Sequence, residues 1–235
     1  MAQTMRQVTR EISLQISTPA TATKKQVRHR ISEVGIIPAI CVASEEDALF
    51  AAEALTEAGI PIIEVSVTFP GAFHFVSHLA ERLPDMIVGA GGILDAETAR
   101  RCLDRGASFL MTDGFVPEVL ELGNQEEITV ASGAMTPTEV IAAWRAGSDF
   151  VKVFPCDAVG GASYIRSLKT ALPQIRLIAA GGINDRTASS FITAGASALC
   201  VGNDLIPADA IRLRQAHRIQ ELGRRFLHSV DSGRY

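Results

Sequence analysis

Aromatic side chains are scarce: ten phenylalanines, two tyrosines and one tryptophan make up 6% of 235 residues. A core built from this chain must therefore rest on Val, Ile, Leu and Ala packing rather than on stacked rings. No apolar run approaches the roughly 20 residues of a membrane helix, so no membrane partner is expected. The N-terminus lacks the apolar stretch of a secretory signal. Basic charge is not in excess, with 22 Lys and Arg against 26 Asp and Glu. The formal charge of −4 removes the usual footprint of a polyanion binder, and nucleic acid is not an expected partner. Cysteine is limited to Cys41, Cys102, Cys156 and Cys200, without CxxC or Cys/His ligand spacing. Three of the four sit in apolar, strand-like surroundings and read as small core residues in a reducing compartment, which points to the cytoplasm. No G-x-G-x-x-G opens the first helix, which argues against an open dinucleotide-binding sheet.

What is present is 47% apolar residues and a repeated unit. From Gly35 onward a short apolar run is followed by a polar turn and an amphipathic stretch that ends near glycine. The runs are Ile36–Val42, Ile60–Val67, Met86–Ala90, Ser108–Met111, Glu127–Ala131, Asp149–Phe154, Arg176–Ala180 and Ala198–Val201. Helical spacing predicts Glu45–Ala58, Ala72–Leu83, Ala96–Arg105, Pro117–Leu122, a helix from Thr136 to Ala146, Ala162–Leu172, a helix capped by Asn184, and a long terminal helix Ala208–Leu227. Eight strand–helix units in order, in a length near the usual 250 residues, predict one (β/α)₈ TIM barrel over residues 31–235. Residues 1–30, rich in Thr, Ser and Arg, resemble a transit peptide in composition but read more simply as a flexible or partly helical N-terminal arm.

The chemistry centres on Val151-Lys152-Val153-Phe154-Pro155. A lysine in an apolar strand is costly to bury unless it has a partner or a task. Burial alone lowers its pKa and makes it a candidate nucleophile toward a ketone. Glu64, set among Ile62, Ile63, Val65 and Val67, is the matching isolated acid. The pair is either a structural ion pair or an acid–base and nucleophile pair at the barrel mouth, where the C-terminal strand ends lie. Glycine-bearing loops follow strands three, seven and eight: Gly91-Gly92, Gly181-Gly182 and Gly202-Asn203. The last two stand where barrels often cradle a phosphate, and also where any tight turn needs glycine. His74 and His78, four apart, read as a solvated face rather than as a metal site. Asp113 and Asp157, just past strand ends, either line the mouth or cap turns.

In order along the chain stand Gly35-Ile36-Ile37-Pro38, Glu64-Val65, Gly89-Ala90-Gly91, Thr136-Pro137-Thr138-Glu139, Lys152-Val153-Phe154-Pro155, Gly181-Gly182-Ile183, Val201-Gly202 and Pro207-Ala208-Asp209-Ala210. This set resembles the bacterial 2-keto-3-deoxy-6-phosphogluconate and 4-hydroxy-2-oxoglutarate aldolase family over about Gly35 to Ala210. The resemblance implies a class I aldolase, a homotrimer needing no metal or cofactor, that cleaves a 2-keto-3-deoxy-6-phospho sugar acid or a 4-hydroxy-2-oxo acid to pyruvate and an aldehyde. It implies Lys152 as the Schiff-base lysine and Glu64 as the carboxylate moving protons at the imine and the aldol hydroxyl. It places Phe154 beside the pyruvate moiety and Gly181, Gly182, Gly202 and Asn203 around a phosphate. Thr68, Gly91 and Gly92 fall among the substrate-binding positions. Departures from the family pattern are Thr68 for Arg or Asn, Val42 for Arg, Gly92 for Thr and Asp113 for Pro. They leave open an oxo-acid lyase such as an oxaloacetate decarboxylase, or a barrel that binds a sugar acid or phosphate without cleaving it.

Overall fold

The computed structural model describes residues 22–68 and 71–235. Eight parallel strands close into a barrel in sequence order, each neighbour hydrogen-bonded to the next and the eighth to the first, as expected. The strands are β1 (Ile36–Ile40), β2 (Ile62–Ser66), β3 (Ile87–Gly91), β4 (Phe109–Met111), β5 (Thr129–Ala134), β6 (Phe150–Val153), β7 (Leu177–Ala180) and β8 (Ala198–Val201). Ahead of them runs α1 (Lys24–Val34). Between them come α2 (Glu45–Glu57), α3 (Ala72–Arg82), α4 (Ala96–Leu103), α5 (Pro117–Gln125), α6 (Pro137–Arg145), α7 (Ala162–Ala171) and α8 (Ala188–Thr193). After β8 come α9 (Ala208–Arg212) and α10 (Ala216–Gly233).

Local chemistry sets the helix starts. Ser44 accepts the Asp47 N–H, Asp95 accepts the Thr98 N–H, and Thr136 forms a capping box with Glu139 ahead of Pro137. Gly35 turns α1 into β1 with φ 70°, and a Cβ there would stand 2.6 Å from Val230. Inside the barrel the Phe109 ring occupies the space above Gly89, where a Cβ would lie 2.2 Å from the ring. That ring floors the barrel below the functional end.

Several boundaries depart from the sequence expectation by a few residues, and three of the departures have a clear cause. The long terminal helix is two helices, because residues 213–215 break it and Arg214 takes φ 50°. Its guanidinium reaches Glu46 at 2.9 Å and Asp47 at 2.8 Å and lies over the Phe50 ring, so tertiary contacts override helix propensity. The fifth strand starts at Thr129 rather than Glu127, which sits in a turn with φ 54°. Asn184 accepts the Arg186 and Thr187 N–H groups in a turn, and the helix proper starts after Thr187.

Of the N-terminal arm, residues 1–21 lie outside the described residues. Residues 24–30 belong to α1, whose Val27 and Ile31 are buried in the common core. Thr129 donates its hydroxyl to the Lys24 carbonyl, which fastens α1 to the start of β5. Beside it the buried Asp149 carboxylate meets Lys24 at 3.0 Å and Arg28 at 3.5 Å, and accepts the Val130 N–H at 3.1 Å. Asp149→Ala orphans a buried N–H and should cost about 2 kcal/mol of stability. Urea unfolding checks this, with catalytic parameters of the folded fraction expected to stay unchanged because Asp149 lies at the opposite end from the mouth.

Candidate active site

Side chains two apart on a strand share a face. Ala39 and Cys41, Glu64 and Ser66, Lys152 and Phe154, and Cys200 and Gly202 all line one cavity of about 360 Å³. Asp113, Gly92, Gly181, Gly182, Asn203 and Asp204 complete the wall from the loops that follow the strands. The cavity thus sits at the C-terminal end of the barrel, where loops from many strands converge. A larger cavity of about 470 Å³ lies between Asn203-Asp204 and α10. Its arginines are already paired, Arg218 with Asp209 and Arg225 with Glu221, and Lys152 and Glu64 are not among its lining residues.

Lys152 is 5% exposed at the base of the cavity. Its ammonium donates to Asp113 Oδ1 at 2.7 Å and lies 5.4 Å from the centroid of the Phe154 ring. Asp113, rather than Glu64, is its direct partner, and the electric field here corrects the expected pKa. Burial does push the ammonium toward losing its proton, but the Glu64 carboxylate first and Asp113 after it outweigh burial and hold the pKa above the ordinary lysine value. The resting lysine is an ammonium, so the amine needs a proton acceptor within reach before it can attack a carbonyl.

Glu64 is 3% exposed, and its Oε2 accepts the Cys200 thiol at 3.1 Å. Burial first, and the neighbouring Glu64 carboxylate next, keep that thiol well above the usual cysteine range. Cys200 therefore stays protonated and serves as a fixed donor to the carboxylate. A Cβ on Gly91 would fall 1.5 Å from Glu64 Oε1, so Gly91 is the notch in which the carboxylate rests.

The remaining expected positions are placed as follows. Gly92, φ 72°, lines the cavity, and a Cβ there would meet the Thr68 methyl at 2.7 Å. Thr68 itself is exposed at the rim and shares a hydrogen bond with Ser66 at 3.0 Å. Phe154 is 37% exposed, with its ring against the lysine side chain. Gly181 and Gly182 take φ 90° and 72°, packed on Pro155 and Asp157, and share the wall with Gly202 and Asn203. Val42 faces an adjoining cavity of about 300 Å³ with Cys41 and Arg212. Among the cavity residues that sequence reasoning did not assign to the site are Cys200, Ser66 and Cys41. Strand periodicity carried from Glu64 to Ser66 and from Gly202 to Cys200 is the signal that finds the first two. Among the described residues no cluster of three His, Cys, Asp or Glu is placed to hold a metal, and no helix is long and apolar enough to cross a membrane.

All four cysteines are free thiols, and Cys41 alone among them is exposed. Burial pushes the Cys102 thiol up to about 12 and the Cys156 thiol up to about 11. Native-state treatment with a maleimide should label Cys41 quickly and leave Cys102, Cys156 and Cys200 until unfolding. Peptide mapping against time checks this, and early label on Cys200 would contradict the buried Glu64–Cys200 pair.

The sequence model of the KDPG and KHG aldolase family matches residues 27–222. The KHG/KDPG aldolase of Escherichia coli K12 is 29% identical over 190 residues, covering 80% of this chain and 89% of that protein. The 2-dehydro-3-deoxy-phosphogluconate aldolase of Pseudomonas aeruginosa is 27% identical over 196 residues, covering 83% and 89%. Among solved structures, the KDPG aldolase of Legionella pneumophila, with pyruvate captured at low pH as a covalent carbinolamine intermediate, superposes with a TM-score of 0.79. It is 28% identical, over 85% of this chain and 97% of that one.

Proposed function

The chain belongs to the KDPG and KHG aldolase family, and on that premise we propose that it is a class I aldolase whose nucleophile is Lys152 and whose substrate-side acid–base group is Glu64. The carrying observation is a buried lysine at the base of a strand-end cavity, hydrogen-bonded to one carboxylate and polarised by a second. The substrate is a 2-keto-3-deoxy-6-phospho sugar acid or a 4-hydroxy-2-oxo acid, and the products are pyruvate and an aldehyde.

The Lys152 amine attacks the C2 ketone, and loss of water leaves a positively charged iminium. That charge accepts the electrons of the C3–C4 bond as Glu64 takes the proton of the C4 hydroxyl, and the aldehyde departs. Glu64 then returns its proton to C3 of the enamine, and water releases pyruvate. Phe154 gives the planar keto acid an apolar wall. Backbone N–H groups at Gly92 and the Ser66 hydroxyl are suited to the substrate carboxylate, with Gly91 shaping the wall behind and Thr68 at the rim. Gly181, Gly182, Gly202 and Asn203 are suited to hold a phosphate through their backbone.

We further assign the protein to a reducing compartment such as the cytoplasm, supported by its four free thiols. The homotrimeric state rests on the family resemblance. Borohydride reduction in the presence of pyruvate tests the central reading: a stable mass increment is expected on the peptide carrying Lys152, and its absence defeats the proposal. Comparing kcat/KM for phosphorylated and unphosphorylated substrates tests the glycine loops; equal values remove the phosphate from the reading.

A further inference from the structure

Iminium formation from an ammonium conserves charge and atoms. One ammonium and one ketone yield one iminium and one water, and two of the three hydrogens on nitrogen leave with the carbonyl oxygen. Something must carry each of them from nitrogen to oxygen. Taking Lys152 as the nucleophile, we propose that Asp113 is that carrier and that Glu64 serves only the C3 and C4 side of the reaction.

The placement of Asp113 is built rather than incidental. Its Oδ1 touches the reacting nitrogen at 2.7 Å, and its side chain is 42% exposed while that of Lys152 is 6% exposed. It thus joins a buried amine to the open cavity in which a ketone would lie. The loop that carries it is pinned by Thr112, a 1%-exposed residue. The Thr112 hydroxyl accepts the Gly133 N–H at 3.0 Å and donates to the Gly114 carbonyl at 2.6 Å. Gly133 is the ladder partner of Lys152 on the adjacent strand. A Cβ on Gly133 would stand 2.1 Å from the Asp113 backbone, so its absence lets the loop cross the end of β5.

A structural ion pair is the competing explanation, and charge balance argues against it. Two carboxylates bear on the ammonium, Glu64 from β2 and Asp113 from beyond β4, while the Cys200 thiol from β8 stays neutral. Glu64 already supplies one carboxylate to offset the lysine, so neutralisation does not call for a second. Glu64 also has one oxygen occupied by the Cys200 thiol, which leaves Oε1 for the substrate hydroxyl.

The steps balance. Asp113 takes a proton from the ammonium, and the freed lone pair bonds to C2 as the carbonyl π electrons move to oxygen. Asp113 returns the proton to that oxygen, giving the carbinolamine. It then takes a second proton from nitrogen and delivers it to the hydroxyl. Water leaves with the C–O electrons while the nitrogen lone pair forms the C=N bond, and Asp113 is again a carboxylate.

The full chain tests this with timed borohydride trapping of pyruvate, followed by intact mass, and with deuterium exchange of the pyruvate methyl group followed by NMR. Asp113→Asn, an isosteric change, should slow adduct accumulation about 100-fold while exchange per adduct stays within about threefold of the parent. Added formate should restore the trapping rate in Asp113→Gly. Glu64→Gln should form adduct at a rate close to the parent's and lose exchange about 100-fold. Trapping at the parental rate in Asp113→Asn overturns the shuttle, and so does a trapping defect in Glu64→Gln as large as that in Asp113→Asn. Absence of any adduct in the parent would instead defeat the aldolase reading itself, which separates the two failures.

Discussion

Lys152→Met is expected to form no pyruvyl adduct and to cleave substrate at least about 10⁴-fold more slowly, because every bond change after imine formation depends on that nitrogen. Methionine nearly preserves the volume, so the loss is chemical rather than a packing defect. The same change removes the cation that is paired with Asp113, and breaking such a pair should lower stability by about 3 kcal/mol at neutral pH. The sign of its pH dependence follows from the raised lysine pKa. A group bound more tightly to its proton when folded contributes full stability below its unfolded value of about 10.4 and loses it as pH rises further. The stability gap between parent and Lys152→Met should therefore be flat from about pH 7 to 9 and narrow above about pH 10. Urea titrations at several pH values measure it, and a gap that widens above pH 10 would contradict a proton held tightly in the folded state.

Gly91→Ala should be the most damaging change that leaves every reacting group in the chain. Its new methyl would lie 1.5 Å from Glu64 Oε1, so the carboxylate must swing out of its notch and off the Cys200 thiol. Displacing a reacting group by about 1 Å costs on the order of 10² in rate, whereas crowding one methyl into a core costs about 1–3 kcal/mol of stability. Cleavage should thus fall about 100-fold while borohydride still traps pyruvate on Lys152, whose partner Asp113 is untouched. Loss of trapping in a folded Gly91→Ala protein would place the damage at Lys152 instead of Glu64.

The barrel was legible because its determinants are local. Caps such as Ser44, Asp95 and Thr136, glycines such as Gly35, and the two-residue and 3.6-residue periods each act within a few positions. Lys152 and Glu64 were legible for a related reason, since a charge in an apolar run stands out whatever its neighbours. Periodicity from Gly202 places Cys200 on the cavity face, but its role was not legible. Ala-Leu-Cys-Val is also what a plain core strand looks like, and the thiol acquires a role only through Glu64, 136 positions away. The direction of the Lys152 pKa failed similarly. Burial can be read from the local run, but the carboxylates that overrule it arrive from β2 and from a loop 39 positions earlier. The terminal helix was overextended because propensity continues through Leu213-Arg214-Gln215, and only the contacts of Arg214 with α2 reveal the break.

The charges around Lys152 also bear on which compounds the site ignores. With two carboxylates already acting on it, Lys152 offers no unbalanced positive charge to the many small carboxylates around a metabolic enzyme. Glu64 beside it makes the deep end repel them. A compound gains a hold there only by presenting an electrophilic carbon that the nitrogen can bond. Selectivity at the bottom of the cavity is thus a matter of reactivity more than of charge, and simple analogues such as acetate or lactate should compete poorly with keto acids of the same size.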